Sequence, residues 1–260
     1  MWRVMLTVGV DLAAEPAGTA IASIEWSAAG ALVRDLMCPA ADDAVVAAIR
    51  PADKAGIDCP LGWPAEFVAF VRAHQTGNVV VPNGIAGRDW RRRLAYRHTD
   101  LAVHEMTGLM PLSVSADRIG HTAMRCAALL AQLAPPGRPI DRRGAGTVVE
   151  VYPAATLKTW NLPHRGYKRP PNRIALSKLV DALLRAAPWL SLGPYELVCR
   201  NSDHALDAVI AALTARAARL GLVTQPDQHQ SNYASVEGWI AVPTAPLHLL
   251  HEWDANPAGL

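Results

Sequence analysis

Residues 4–11, Val-Met-Leu-Thr-Val-Gly-Val-Asp, constrain the fold more than any other stretch. The run is almost wholly apolar, short and β-rich, and its last residue is an acid, so it reads as a buried strand that delivers a carboxylate at its end. The turn segment Ala13-Ala14-Glu15-Pro16-Ala17-Gly18 leads to a second strand at about 19–26, and Ala29-Gly30 leads to a third near 31–37. Connections this short predict an antiparallel meander. Asp42-Asp43 then opens a helix to about Ile49, both acids being favourable at a helix N-terminus. A strand at 54–58 follows and ends in Asp58. A strand, a helix and another strand imply a crossover, which sets 54–58 parallel to the first strand.

Between about 60 and 146 the pattern loosens into helices at about 64–75, 100–106 and 116–133, with an arginine-rich stretch at 88–93. Gly108, Pro111, Pro135, Pro136, Gly137 and Pro139 punctuate it. This region reads as a mainly helical insertion. Regular structure resumes with a strand at 147–153 carrying Glu150, a helix at about 172–186, a strand near 195–199 and a closing strand at 237–243. The strongest helix is 203–220, where Leu206, Val209, Ile210, Leu213, Ala217 and Leu220 share one stripe and Gly221 supplies the C-terminal stop. The expectation is an α/β core of five mixed strands in one domain spanning 1–260, with the insertion at 60–146.

Composition narrows the partners. The 260 residues include 25 Lys+Arg and 23 Asp+Glu, a net charge of +2, with 51% hydrophobic and 18% charged residues. That excludes a disordered or fibrous chain and does not by itself demand a nucleic-acid partner. Cysteines at 38, 59, 126 and 199 form no CxxC pair, which predicts reduced thiols, no disulfide-linked partner and a cytoplasmic location. No apolar run reaches the length of a membrane span, and Asp11 interrupts the N-terminal apolar run where a signal peptide would need continuity.

The acids carry the chemistry. Asp11 and Asp58 end two strands expected to be parallel neighbours, and functional groups gather just beyond such strand ends. Two carboxylates converging there repel unless a cation offsets them, and a hard divalent ion with oxygen ligands, Mg²⁺ or Mn²⁺, fits. The alternative is that each acid caps a turn. Asp203 and Asp207 lie one helical turn apart and project from the same side of the 203–220 helix, while His204 points further round. Ser202-Asp203 also reads as an ordinary N-cap with a first-turn acid; Asp207 is too deep in the helix for that. Glu150, mid-strand between Val149 and Val151, needs a partner, and a metal or an arginine would serve equally.

Several segments together resemble a known family. They are Val8-Gly9-Val10-Asp11-Leu12-Ala13, Ile57-Asp58-Cys59-Pro60, Arg97-His98-Thr99-Asp100, Glu150-Val151-Tyr152-Pro153, Tyr167-Lys168 and His204-Ala205-Leu206-Asp207-Ala208. In that order they are similar to the domain-of-unknown-function family 429, a family described as predicted nucleases with a ribonuclease H-like fold. The last segment also resembles the final catalytic helix of RuvC-type resolvases. The resemblance implies a mixed five-stranded sheet of order 3-2-1-4-5, with acids on strands 1 and 4 and on the C-terminal helix. It makes Asp11, Asp58 and Asp207 the metal ligands, with Glu150 a further candidate.

The implied chemistry is hydrolysis of phosphodiester bonds by a two-metal centre. Asp11 would be the shared ligand, and His204 or Asp203 would orient the water. Nucleic acid is the expected substrate. Arg88, Arg91, Arg92, Arg93 and Arg97 offer cations to its backbone and Trp90 a stacking surface; Arg91, Arg92, Arg97, Asp100 and Lys168 are the candidate substrate contacts. Two other functions remain compatible with the sequence. One is a catalytically silent binding or scaffold protein on the same fold. The other is an actin/hexokinase-like ATP-binding protein, although Leu12-Ala13-Ala14-Glu15 lacks the glycine such a phosphate loop places directly after its first aspartate.

Overall fold

The computed structural model describes residues 4–251, Pro170 by its backbone alone. The chain opens with strands β1 (Met5–Asp11), β2 (Ala20–Ser27) and β3 (Gly30–Met37), then helix α1 (Asp42–Ile49) and strand β4 (Lys54–Asp58). Four helices follow: α2 (Ala65–Gln75), α3 (Gly87–Ala95), α4 (His98–Thr107) and α5 (Gly120–Leu133). Strand β5 (Val148–Val151) leads into α6 (Pro153–Thr159), α7 (Arg173–Ala186), the two-residue strand β6 (Leu190–Ser191) and α8 (Glu196–Asn201). The chain then runs through α9 (Asp203–Arg219), α10 (Gln230–Glu237) and β7 (Ile240–Ala241).

The strands form one mixed sheet of order β6-β3-β2-β1-β4-β5-β7. β1, β2 and β3 are antiparallel neighbours, as their short connections require, and β4 pairs parallel with β1. β5 and β7 continue the parallel half, and β6 joins β3 in parallel at the other edge. The sheet therefore has seven strands where five are expected. Both additions, β6 and β7, are two-residue edge pairings; β7 lies inside the closing strand expected at 237–243, shortened because α10 runs to Glu237, while β6 is too short for periodicity to reveal.

The segment at 195–199 is helical rather than extended. Leu197 is 71% exposed while Cys199 is fully buried, the one-sided burial of a helical turn. Glu196 and Arg200 form an i,i+4 ion pair that a strand could not make. The elements between residues 65 and 133 are all helices, and the arginine-rich stretch itself forms α3.

Each sheet face has its own core. On one, Ala22, Ile24 and Trp26 pack with Leu179 and Leu183 of α7 and with α9; on the other, Val8, Val10 and Ile57 pack with Val45 of α1 and Cys126 and Leu129 of α5. α9 is buried on all sides from Ala205 to Ala217, not along one stripe. Its alanines at 205, 208, 211, 212 and 215 explain this: small side chains let the sheet approach one face while other elements cover the rest. Among the described residues no helix is long and apolar enough to cross a membrane, and all four cysteines are free thiols.

Candidate metal centre

The site is built by two Gly-x-Asp triplets in register, Gly9-Val10-Asp11 and Gly56-Ile57-Asp58. In the parallel ladder Gly9 pairs with Gly56 and Asp11 with Asp58. Alternation along each strand puts the glycine and the aspartate two residues later on the same face, and that face receives α9. A Cβ at Gly9 would lie 2.0 Å from the Ala208 carbonyl oxygen and 2.2 Å from the Ala212 nitrogen. At Gly56 it would lie 2.5 Å from the Ala211 carbonyl oxygen. Backbone therefore rests on backbone. This contact brings Asp207, one residue before Ala208, to the ends of both strands.

Asp11, Asp58 and Asp207 each present a carboxylate oxygen within 4.8 Å of the others. Carboxylates this close repel by roughly 3–4 kcal/mol per pair at an effective dielectric constant near 20. The titration of the group reflects that. Burial pushes the Asp207 carboxyl up to about 6; Lys168 opposes the rise and Asp11 adds to it. Burial also raises Asp58 well above the ordinary carboxylate range, with Asp11 and Asp207 adding and Lys168 opposing.

Two of the three acids have partners. Asp11 Oδ2 lies 2.6 Å from His204 Nδ1, a hydrogen bond that raises the imidazole pKa. Asp207 accepts a hydrogen bond from the Tyr167 hydroxyl at 2.8 Å and forms an ion pair with Lys168 Nζ at 2.6 Å. Asp58 accepts no hydrogen bond and forms no ion pair among the described residues. A half-buried carboxylate beside two others, with no donor of its own, is a donor set suited to a hard cation.

The loop at 167–169 is clamped onto the start of α9, since the Arg169 N–H donates to Asp203 at 3.0 Å while Tyr167 and Lys168 hold Asp207. Asp203 and Asp207 do share a helix side, and Ser202 caps the helix by accepting from the Ala205 N–H. Asp203 is thus used by the loop. Arg125, from α5, fixes the segment after β1 by donating to the Ala13 carbonyl and the Thr19 hydroxyl.

Glu150 does not join the cluster. Its ladder partner is Ile57, whose side chain packs on the α1/α5 face, so Glu150 points to the opposite face from the aspartates. Arg97 grips both its oxygens, Nη1 at 2.8 Å and Nη2 at 2.7 Å, and the Leu61 N–H donates at 2.9 Å. Arg97 is itself only 1% exposed and also pairs with buried Asp100. Arg97 and Asp100 therefore form a buried tie between the helical segment and the sheet, and Arg97 and Glu150 also line the cavity beside Asp58. Arg97 thus supplies Glu150 with one of the two kinds of partner that its strand position calls for.

The remaining basic candidates differ among themselves. Arg88, Arg91, Arg92 and Arg93 are exposed on α3. Trp90 is not a free stacking surface: it packs edge-on against Phe70 of α2 at 5.9 Å. Lys168 is spent on Asp207. Tyr167 is the site residue that residue-by-residue reasoning misses, although the Tyr167-Lys168 pair is one of the segments carrying the family resemblance.

A family model described as protein of unknown function (DUF429) matches residues 9–231. The chain belongs to that family. The match takes in both Gly-x-Asp triplets, the Arg97–Glu150 tie, the 167–169 loop and the whole of α9. Comparison with curated proteins and with solved structures gave no match. Within this family member, the three aspartates form the one group of three or more potential metal-binding side chains among the described residues.

Proposed function

We propose that this protein is a metal-dependent nuclease that hydrolyses phosphodiester bonds of nucleic acid, on a ribonuclease H-like arrangement. The observation that carries the reading is the meeting of Asp11, Asp58 and Asp207 within 4.8 Å, with Asp58 lacking any donor among the described residues. The run β3-β2-β1-β4-β5 within the sheet, with acids ending β1 and β4 and a third on a late helix, supports it.

Asp11, Asp58 and Asp207 would hold Mg²⁺ or Mn²⁺. Such an ion supplies a lowered pKa for the attacking water and charge stabilisation at the leaving oxygen. The chain's own residues do the rest. Asp11 fixes the His204 ring through Nδ1, which leaves Nε2 to accept a proton from water. Tyr167 fixes one oxygen of Asp207 and so orients that carboxylate. Lys168 neutralises part of the cluster's charge.

The test is calorimetric titration with Mn²⁺ alongside cleavage of a fluorescent oligonucleotide. Wild type takes up Mn²⁺ and cuts; Asp58→Asn does neither and remains folded. A wild type that takes up no Mn²⁺ overturns the reading. A second reading, a silent scaffold, draws on the Lys168–Asp207 and His204–Asp11 contacts, which already give two of the three acids partners from within the chain. That scaffold would bind nucleic acid without Mn²⁺ uptake.

A further inference from the structure

Beside the acidic cluster lies a cavity of about 620 Å³, in the size range of pockets that enclose a single small molecule. Asp58 and Lys168 line it, so it opens onto the carboxylates. The insertion contributes Met110, Ile119 and Thr122, and Tyr152 follows β5. These walls are chiefly apolar but also carry Arg97, Glu150, His164 and Arg165, and three hydroxyls, of which that of Tyr167 already donates to Asp207. Neither the Thr122 nor the Tyr152 hydroxyl has a hydrogen-bond partner among the described residues, and both residues are half-buried.

A planar heterocycle matches such a space. Its faces suit Met110 and Ile119, and its polar edges suit two unpaired hydroxyls. A base still stacked in a duplex cannot enter a pocket of this size; it must first leave the stack, which costs a few kcal/mol in a paired strand and far less in an unpaired one. Exposed Arg88, Arg91, Arg92 and Arg93 on α3 offer a sequence-independent track for the rest of a flexible strand.

We propose that the substrate is single-stranded nucleic acid, one unstacked base of which occupies the cavity between Met110, Thr122 and Tyr152 while the adjoining phosphate reaches Asp11, Asp58 and Asp207. The proposal rests on the nuclease reading above and adds to it the form of the substrate. It makes the cavity a specificity element separate from the carboxylates.

The experiment compares a labelled oligonucleotide as a single strand and as a duplex, in Mn²⁺, for wild type and Thr122→Trp, with Mn²⁺ uptake measured separately. Single strand should be cut at least about tenfold faster than duplex, about 1.4 kcal/mol in transition-state terms. Thr122→Trp, which fills the cavity, should lose at least about tenfold on the single strand and keep its Mn²⁺ affinity. If Thr122→Trp does not fold, Met110→Trp, on the irregular segment between α4 and α5, is read in its place. Equal rates on the two forms, or filled variants as fast as wild type, overturn the cavity proposal and leave the nuclease reading standing. No Mn²⁺ uptake, or uptake with no cleavage of either form, overturns both.

Discussion

Gly9 of β1 and Gly56 of β4 are direct partners in the parallel ladder, and α9 lies against both with no room for a methyl group at either. The acids two residues further along each strand meet Asp207 because of that contact. Gly9→Ala would set a Cβ 2.0 Å from a backbone oxygen, and backbone cannot swing aside as a long side chain can. The expected cost is more than about 3 kcal/mol, the upper range for overpacking. Thermal unfolding monitored by circular dichroism checks it; a variant as stable as wild type would mean that α9 shifts freely.

Asp207 makes the metal-free protein pH-sensitive. Its carboxyl titrates near 6 in the fold against an ordinary value of 3.8, so the folded state holds the proton more tightly. The resulting stabilisation is complete below 3.8 and disappears as pH rises through about 6. His204, also raised, has the same sign, its contribution being present below 6.5 and fading above. From pH 5 to 7.5 wild type should lose about 1–2 kcal/mol, or about 3–5 °C in Tm, that Asp207→Asn does not lose. Scanning calorimetry in a chelator at both pH values decides the matter.

Much of this site was legible in the sequence because its acids sit where local pattern is strongest. Asp11 and Asp58 close apolar strands, and Asp207 lies in the helix with the clearest periodicity. The long-range pairings were not legible. Glu150 shows an unmet need in its strand, but only the register with Ile57 reveals which face it occupies, and only the insertion's path brings Arg97 to it. The edge strand β6 has two residues, which carry no period, whereas β7 falls inside the segment read as a closing strand. At 195–199 an apolar run reads as a strand, yet the Glu196–Arg200 pair and one-sided burial favour a helix.

Arg97 is the cation shared by Glu150 and Asp100, both buried. Arg97→Met leaves two carboxylates without their cation, a loss expected to cost about 3–5 kcal/mol. Arg97→Lys should recover little, because one ammonium cannot reproduce the forked contacts to both acids. Denaturant titration of the two variants measures this. A near-neutral Arg97→Lys would mean that charge alone, without the paired geometry, is enough.

Lys168 competes with any cation for Asp207. Lys168→Met should tighten Mn²⁺ binding on the order of tenfold by removing a positive charge from the cluster. The same change should lower the Tm of the metal-free protein, since it removes the ammonium that offsets the buried Asp207 carboxylate. Calorimetry with and without Mn²⁺ separates the two effects. Weaker binding in the variant would instead assign Lys168 to holding Asp207 in place.

The tie between insertion and sheet also bears on how the molecule comes together. The Leu61 N–H reaches Glu150 across 89 positions of chain, and Arg97 reaches it across 53. Neighbouring strands β4 and β5 cannot pair until the whole helical segment between them has been looped back, an entropic toll that grows slowly with length but delays contact. The antiparallel meander β1–β3 needs no such excursion. Assembly should therefore begin at the meander and finish at the β4–β5 junction, so that the cavity walls close last. Synthesis from the N-terminus reinforces that order: Asp11 and Asp58 leave the ribosome well before Asp207, and the carboxylate cluster stays incomplete until α9 docks.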